Sequence, residues 1–197
     1  MLTIIGGLVL CWALSSALTT AALADTLQPV KTPFDADMTM ISEGQTVTGH
    51  IWFNDGLERR RMDMGDQGMT IIVRPDKNVV FMMPDDAPMA MEMPMSPEFR
   101  YVNGGLLKDI ELEPQGSETI AGEDTTEYAF DGVTILGEPM SGVLWITSDG
   151  IVMKLEGEAQ IKGRSSDVFM VLENVSRETP APDLFEVDPG IQIMKMN

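Results

Sequence analysis

From Asp35 onward the apolar residues of this chain recur at every second position, and no stretch sustains the 3.6-residue spacing of a long amphipathic helix. A period of two puts alternate side chains on opposite faces of an extended chain, so the pattern commits the protein to β-structure. In Asp35–Ile41, Ala36, Met38 and Met40 oppose Asp35, Asp37 and Thr39. In Gln45–Phe53, Val47, Gly49, Ile51 and Phe53 oppose Thr46, Thr48, His50 and Trp52. Turn formers separate such runs: Ser42-Glu43-Gly44, Asn54-Asp55-Gly56, Asp66-Gln67-Gly68, Pro75-Asp76-Lys77-Asn78 and Pro84-Asp85-Asp86. Asp149-Gly150 is the clearest two-residue hairpin turn. Val79–Met83 is apolar at every position, which calls for cover on both faces. Further strands read Leu57–Met64, Met69–Arg74, a pair within Gly116–Phe130 around Gly122-Glu123-Asp124, Gly142–Ser148, Ile151–Gln160 and Asp167–Val175. A last strand or tail spans Ile191–Met196. Ser96-Pro97-Glu98 caps and starts a short helix over Phe99–Val102, and Leu106–Leu112 fits either a second short helix or the entry to a strand. The expected fold is mainly β: a single, strongly curved antiparallel sheet, an incomplete β-barrel of about ten strands with one or two short helices.

Residues 1–24 contain no charged side chain. Ile4–Leu14 has the length of a signal-peptide apolar core, and Ala22-Leu23-Ala24 is a small-residue cleavage site. The expected division is a signal peptide over 1–24, cleaved after Ala24, and a single β domain over 25–197. Cys11 is the only cysteine and lies in the leader, so the mature chain has no disulfide, no thiolate metal site and no cysteine nucleophile. The net charge of −18 argues against nucleic acid, which needs basic patches. It also argues against docking on anionic lipid, since Arg59-Arg60-Arg61 is the one basic cluster.

The chemistry of catalysis is thinly represented. His50 is the only histidine, on the more polar face of its strand beside Thr46 and Thr48. No G-x-S-x-G elbow, H-E-x-x-H, C-x-x-C, EF-hand loop or phosphate-binding glycine loop occurs. The chain therefore reads as non-enzymatic and without a cofactor.

Methionine is the conspicuous residue. Six of the 17 fall between Asn78 and Met95. Thioethers are soft ligands that select Cu(I), and they are also pliable apolar side chains that line adaptable surfaces. Met89, Met91, Met93 and Met95 share one strand face, but alternate strand residues lie roughly 6–7 Å apart with parallel side chains, which disfavours convergence on one ion. Met38, Met40, Met62, Met64, Met69, Met82, Met83, Met153 and Met170 are spread over other strands at inward-compatible positions. That spread favours an apolar lining. Arg60 points opposite to Arg59 and Arg61, and so toward the side of Met62 and Met64. There it would anchor an anionic head group or a lid carbonyl, or pair with one of the surplus carboxylates.

Several segments in this order resemble the periplasmic LolA/LolB-type lipoprotein-carrier fold, in a separate bacterial branch of it. They are Arg60-Arg61-Met62-Asp63-Met64, Ile71-Ile72-Val73-Arg74-Pro75-Asp76-Lys77, Val80-Phe81-Met82-Met83-Pro84 and Met91-Glu92-Met93-Pro94. The second half adds Ile120–Tyr128, Leu144–Leu155 and Asp183–Gly190. The resemblance covers most of the mature chain and implies a periplasmic half-barrel whose concave face, roofed by short helices or loops, holds acyl chains or another hydrophobic guest. The expected lining is Met38, Met40, Met62, Met64, Met82, Met89, Met91, Met93 and Trp145, with Arg60 at the head group or lid. The expected partners are a hydrophobic small molecule or lipid and an envelope protein, with no nucleic acid, and the protein itself is expected to be a monomer. The alternatives are a periplasmic Cu(I)-binding protein using Met89, Met91, Met93 and Met95, and an envelope scaffold without ligand.

Overall fold

The computed structural model describes residues 27, 30–65, 67–95, 107–134, 138–161 and 163–196. The expected signal peptide and the helix expected at Phe99–Val102 lie outside the described residues. Twelve strands form one sheet: β1 (Phe34–Ser42), β2 (Gln45–Asn54), β3 (Leu57–Met64), β4 (Gln67–Arg74), β5 (Val79–Pro84), β6 (Met89–Pro94), β7 (Leu107–Ile120), β8 (Glu123–Thr134), β9 (Pro139–Thr147), β10 (Val152–Ile161), β11 (Arg164–Ser176) and β12 (Gln192–Lys195). Leu107–Leu112 is thus strand rather than helix. The helical structure described is a single 3-10 turn at Pro182–Phe185.

The strand order is β12-β6-β5-β4-β3-β2-β1-β11-β10-β9-β8-β7. Two antiparallel meanders, β1–β6 and β7–β11, join where β1 pairs with β11, and β12 returns to add a parallel strand on β6. The sheet is open, with β7 and β12 at its two ends.

The hairpins follow from their turn residues. Glu43-Gly44 and Asp55-Gly56 have positive φ at both positions, which is the type I′ geometry that matches strand twist. At Asp149-Gly150 only Gly150 has positive φ. This loop is wider than the expected two-residue turn, because Thr147 Oγ1 accepts the Ile151 N–H at 2.9 Å and the Gly150 N–H donates to the Thr147 carbonyl at 3.0 Å. Gly49 has a packing reason: a Cβ there would collide with the Arg61 carbonyl on β3. Gly142 and Gly157 face each other across β9 and β10, and the Phe130 ring lies against Gly157.

After β11 the chain crosses one face of the first meander as a strap before reaching β12. Arg59 Nη1 donates to the Leu184 carbonyl at 2.9 Å, and Arg74 Nη1 donates to the Phe185 carbonyl at 3.0 Å. Phe185 is fully buried, and Val187 and Ile191 pack on Ile72, Phe81 and Ala90. Val80 belongs to a separate cluster with Val73 and Met95. Val80 and Phe81 are therefore buried on opposite faces of β5, while Val79, Met82 and Met83 are half-buried, so the cover that the composition calls for is complete only at those two residues. Beside the strap, Arg74 forks onto Asp76 at 2.8 and 2.7 Å and pairs with Glu186, which Lys77 also reaches at 2.8 Å.

This latch can be tested at its ring and at its charges. Phe185→Ala removes a fully buried ring and should cost about 3–5 kcal/mol in urea unfolding, with faster hydrogen exchange at Gln192–Lys195. Lys77 and Arg74 hold the Glu186 carboxyl below its ordinary value, and Arg74 does the same to Asp76. Both folded-state values are depressed, so their contribution to stability is present above 4.5 and 3.8 and is lost as the pH falls below them. Glu186→Gln should flatten the acid limb of the stability–pH curve.

Candidate functional site

Strand register places three rows of side chains on the face opposite the strap. One row runs Met38, Gly49, Met62, Met69 across β1 to β4. The next runs Ala36, Ile51, Arg60, Ile71, Met82, Met91, Met194 from β1 to β12. The third runs Phe34, Phe53, Glu58, Val73, Val80, Met93. Met40 continues the face onto Met170 of β11. Each row is offset by two residues along every strand, so all three share a face.

Burial divides the expected lining. Met38 and Trp145 are core residues, 4% and 6% exposed, in the cluster with Phe34, Phe53 and Met153. Lys154 Nζ lies 4.2 Å over the Trp145 ring. Met40, Met62, Met82, Met89, Met91 and Met93 are half-buried, and Met64 is 39% exposed. Met95 is 8% exposed and packs with Val73 and Val80. Met69 and Met170 join the half-buried set. The result is a malleable apolar surface over seven adjacent strands, β11 to β6, in which the methionines lie beside the buried Phe34, Ile51, Phe53, Val73 and Val80 on the same face.

Two charges interrupt it. Arg60 shares the face of Met62, and its Nε meets Glu58 Oε1 as an ion pair. The side chains are 18% and 4% exposed. Burial pushes the Glu58 carboxyl up, and Arg60 works against that rise. Arg59 and Arg61 serve the other face: Arg59 holds the strap, and Arg61 pairs with Asp63 at 2.8 Å and Asp85 at 2.5 Å. Glu58 was legible as a partner for Arg60, because Glu58, Arg60 and Met62 alternate on one strand face. Met194 was not, because its neighbours depend on where β12 docks.

Other polar groups gather elsewhere. His50 lies between Asp37 and Asp35, at 2.8 and 3.2 Å, and Asn174 donates to Asp37 at 2.8 Å. Hydrogen bonds from Asn174 and His50 hold the Asp37 carboxyl below its ordinary value. A depression of about 320 Å³ lies on the second meander and is lined by Asp131, Ser141, Glu158 and Gln160 among others. It contains none of the expected site residues. Among the described residues no cluster of three or more His, Cys, Asp or Glu side chains is arranged to hold a metal.

The buried pair makes an asymmetric prediction. Arg60→Met leaves Glu58 buried without its cation and should destabilise the fold by about 3 kcal/mol in urea unfolding. Replacing both, Glu58→Leu with Arg60→Met, should restore stability to within about 1 kcal/mol of the parent or exceed it, because the desolvation cost disappears with the charges.

No protein-family model matches the chain, and no curated protein does. Solved structures share its fold at low identity. The chain is similar to the Pseudomonas aeruginosa MucA/MucB complex structure at 16% identity and a TM-score of 0.50, covering 85% of this chain and 59% of that one. It is similar to a structure of MucB at 13% identity and a TM-score of 0.50, covering 83% and 60%. It is also similar to an uncharacterized conserved protein from Thermus thermophilus at 12% identity and a TM-score of 0.56, covering 85% and 92%. The chain spans about three fifths of the MucB chains it matches. These likenesses establish a shared open-sheet fold.

Proposed function

We propose that the protein is an exported, non-enzymatic binding protein of the bacterial periplasm that carries a hydrophobic guest, a lipid or acyl chain, on its methionine-rich face. One observation carries the reading: half-buried methionines of β11, β1, β3, β4, β5 and β6 share one face with the buried Phe34, Ile51, Phe53, Val73 and Val80, which already supply a core. A filled core has no use for so many partly exposed thioethers. A surface that must fit flexible chains does, because the unbranched side chain adapts its shape at little cost. Arg60, paired with Glu58 in the middle row of this face, would place a cation beside an anionic head group of the guest. The resemblance to LolA/LolB-type carriers supports the same reading. The similar Pseudomonas structure is a complex of two proteins, which supports an envelope protein as the partner that delivers or accepts the guest.

Copper at Met89, Met91, Met93 and Met95 is less well served. Met95 is buried among valines just past the end of β6, and six residue steps, about 20 Å at 3.3 Å per residue, separate it from Met89. Native mass spectrometry of gently purified protein should show an adduct of lipid or acyl mass. Met62→Lys with Met82→Lys should remove it while the fold, read by circular dichroism, persists. A bare mass under every gentle condition would overturn the carrier reading and leave a scaffold without ligand.

A further inference from the structure

Met82, Met91 and Met194 stand in register on three adjacent strands. Met82 on β5 is the partner of Met91 on β6, and Met91 is the partner of Met194 on β12. We propose that these three thioethers form a Cu(I)-binding site at the β5–β6–β12 edge of the sheet. The proposal does not rest on the carrier function and shares only Met91 with the linear row along β6.

The geometry differs from that row in the respect that matters. Along a strand, same-face side chains are about 6.6 Å apart and run parallel. Across strands the step is about 4.8 Å, and in-register partners lean over the same patch of surface. The methionine side chain has three rotatable bonds, enough to bring three sulfurs from adjacent strands around one small ion. Met82 and Met91 are half-buried, and Met194 is 44% exposed, so the outermost ligand faces the solvent from which the ion would arrive. The third ligand is held by specific contacts. The Met196 N–H donates to the Glu92 carbonyl at 2.8 Å, and Lys195 Nζ reaches Glu92 Oε1 at 3.3 Å. These bonds seat β12 on β6 and set Met194 opposite Met91.

The chemistry selects the ion. Neutral thioethers bind soft monovalent copper and offer little to hard cations. Zinc needs histidine, thiolate or carboxylate. The one histidine, His50, is on β2 and is engaged with Asp35 and Asp37, and the one cysteine is Cys11. A protein of net charge −18 also draws cations toward it over a long range.

The test is competition for Cu(I) against a chromophoric chelator under reducing, anaerobic conditions, with Ag(I) as a redox-inert check. One equivalent should bind, and X-ray absorption should show a sulfur-only coordination shell. Met194→Leu should weaken binding at least tenfold, and Met82→Leu/Met91→Leu/Met194→Leu should abolish it. Met62→Leu/Met69→Leu, a pair in register one row away, should leave it unchanged. Leucine preserves apolar volume, and hydrogen exchange at Gln192–Lys195 checks that β12 stays docked. Unchanged affinity in Met194→Leu with β12 docked overturns the proposal, as does equal loss in the Met62/Met69 control. Lipid adducts measured on the same variants report on the carrier reading separately.

Discussion

The pairing of β1 with β11 is the constraint on which the rest depends. Met38 faces Leu172 and Met40 faces Met170 across it, linking residues some 130 positions apart in the chain. Each meander on either side builds itself from local hairpins. Only this seam makes them one sheet, and only one sheet lets an apolar face run unbroken from the second meander into the methionine rows of the first. Such a contact must repay the entropy of closing a long loop before it stabilises anything, so it is formed by large side chains in register rather than by turn chemistry.

The two faces of the first meander solve different problems. One is closed by the chain itself: the strap buries Phe185, lays Val187 and Ile191 over Ile72, Phe81 and Ala90, and has two of its carbonyls bonded by arginines. Because a buried carbonyl without a partner is costly, Arg59 and Arg74 matter here more as donors than as charges. The other face keeps its thioethers half open and carries the buried Glu58–Arg60 pair. An ion pair in such a place contributes little net stability, since desolvation offsets the attraction. What it adds to an otherwise featureless apolar surface is one oriented charge.

Much of this was legible in the residues. Alternation separated Ala36, Met38 and Met40 from Asp35, Asp37 and Thr39, and it put Arg60 with Met62 and opposite to Arg59 and Arg61. The all-apolar run Val79–Met83 announced burial on two faces, which Val80 and Phe81 have. The same logic could not grade burial. Met38 and Met40 share a face, yet Met38 is 4% exposed and Met40 is half-buried, because depth depends on what packs above each position. Trp145 and Met95 likewise turned out to be core residues. At Asp149-Gly150 a side-chain hydroxyl, Thr147, widened a turn that its dipeptide alone would have made tight.

The sequence by itself determined the period, the turns and the partition of each strand into two faces, because these are local consequences of backbone geometry and side-chain alternation. Only the tertiary structure decided which strands lie side by side. Hydrogen bonds between strands are the same whatever the sequence, so neighbours are chosen by burial over the whole molecule. That is why the strap could be seen only once Phe185 had a place to go. It is also why Met82, Met91 and Met194, spread over more than a hundred residues of chain, became neighbours only when β12 docked on β6.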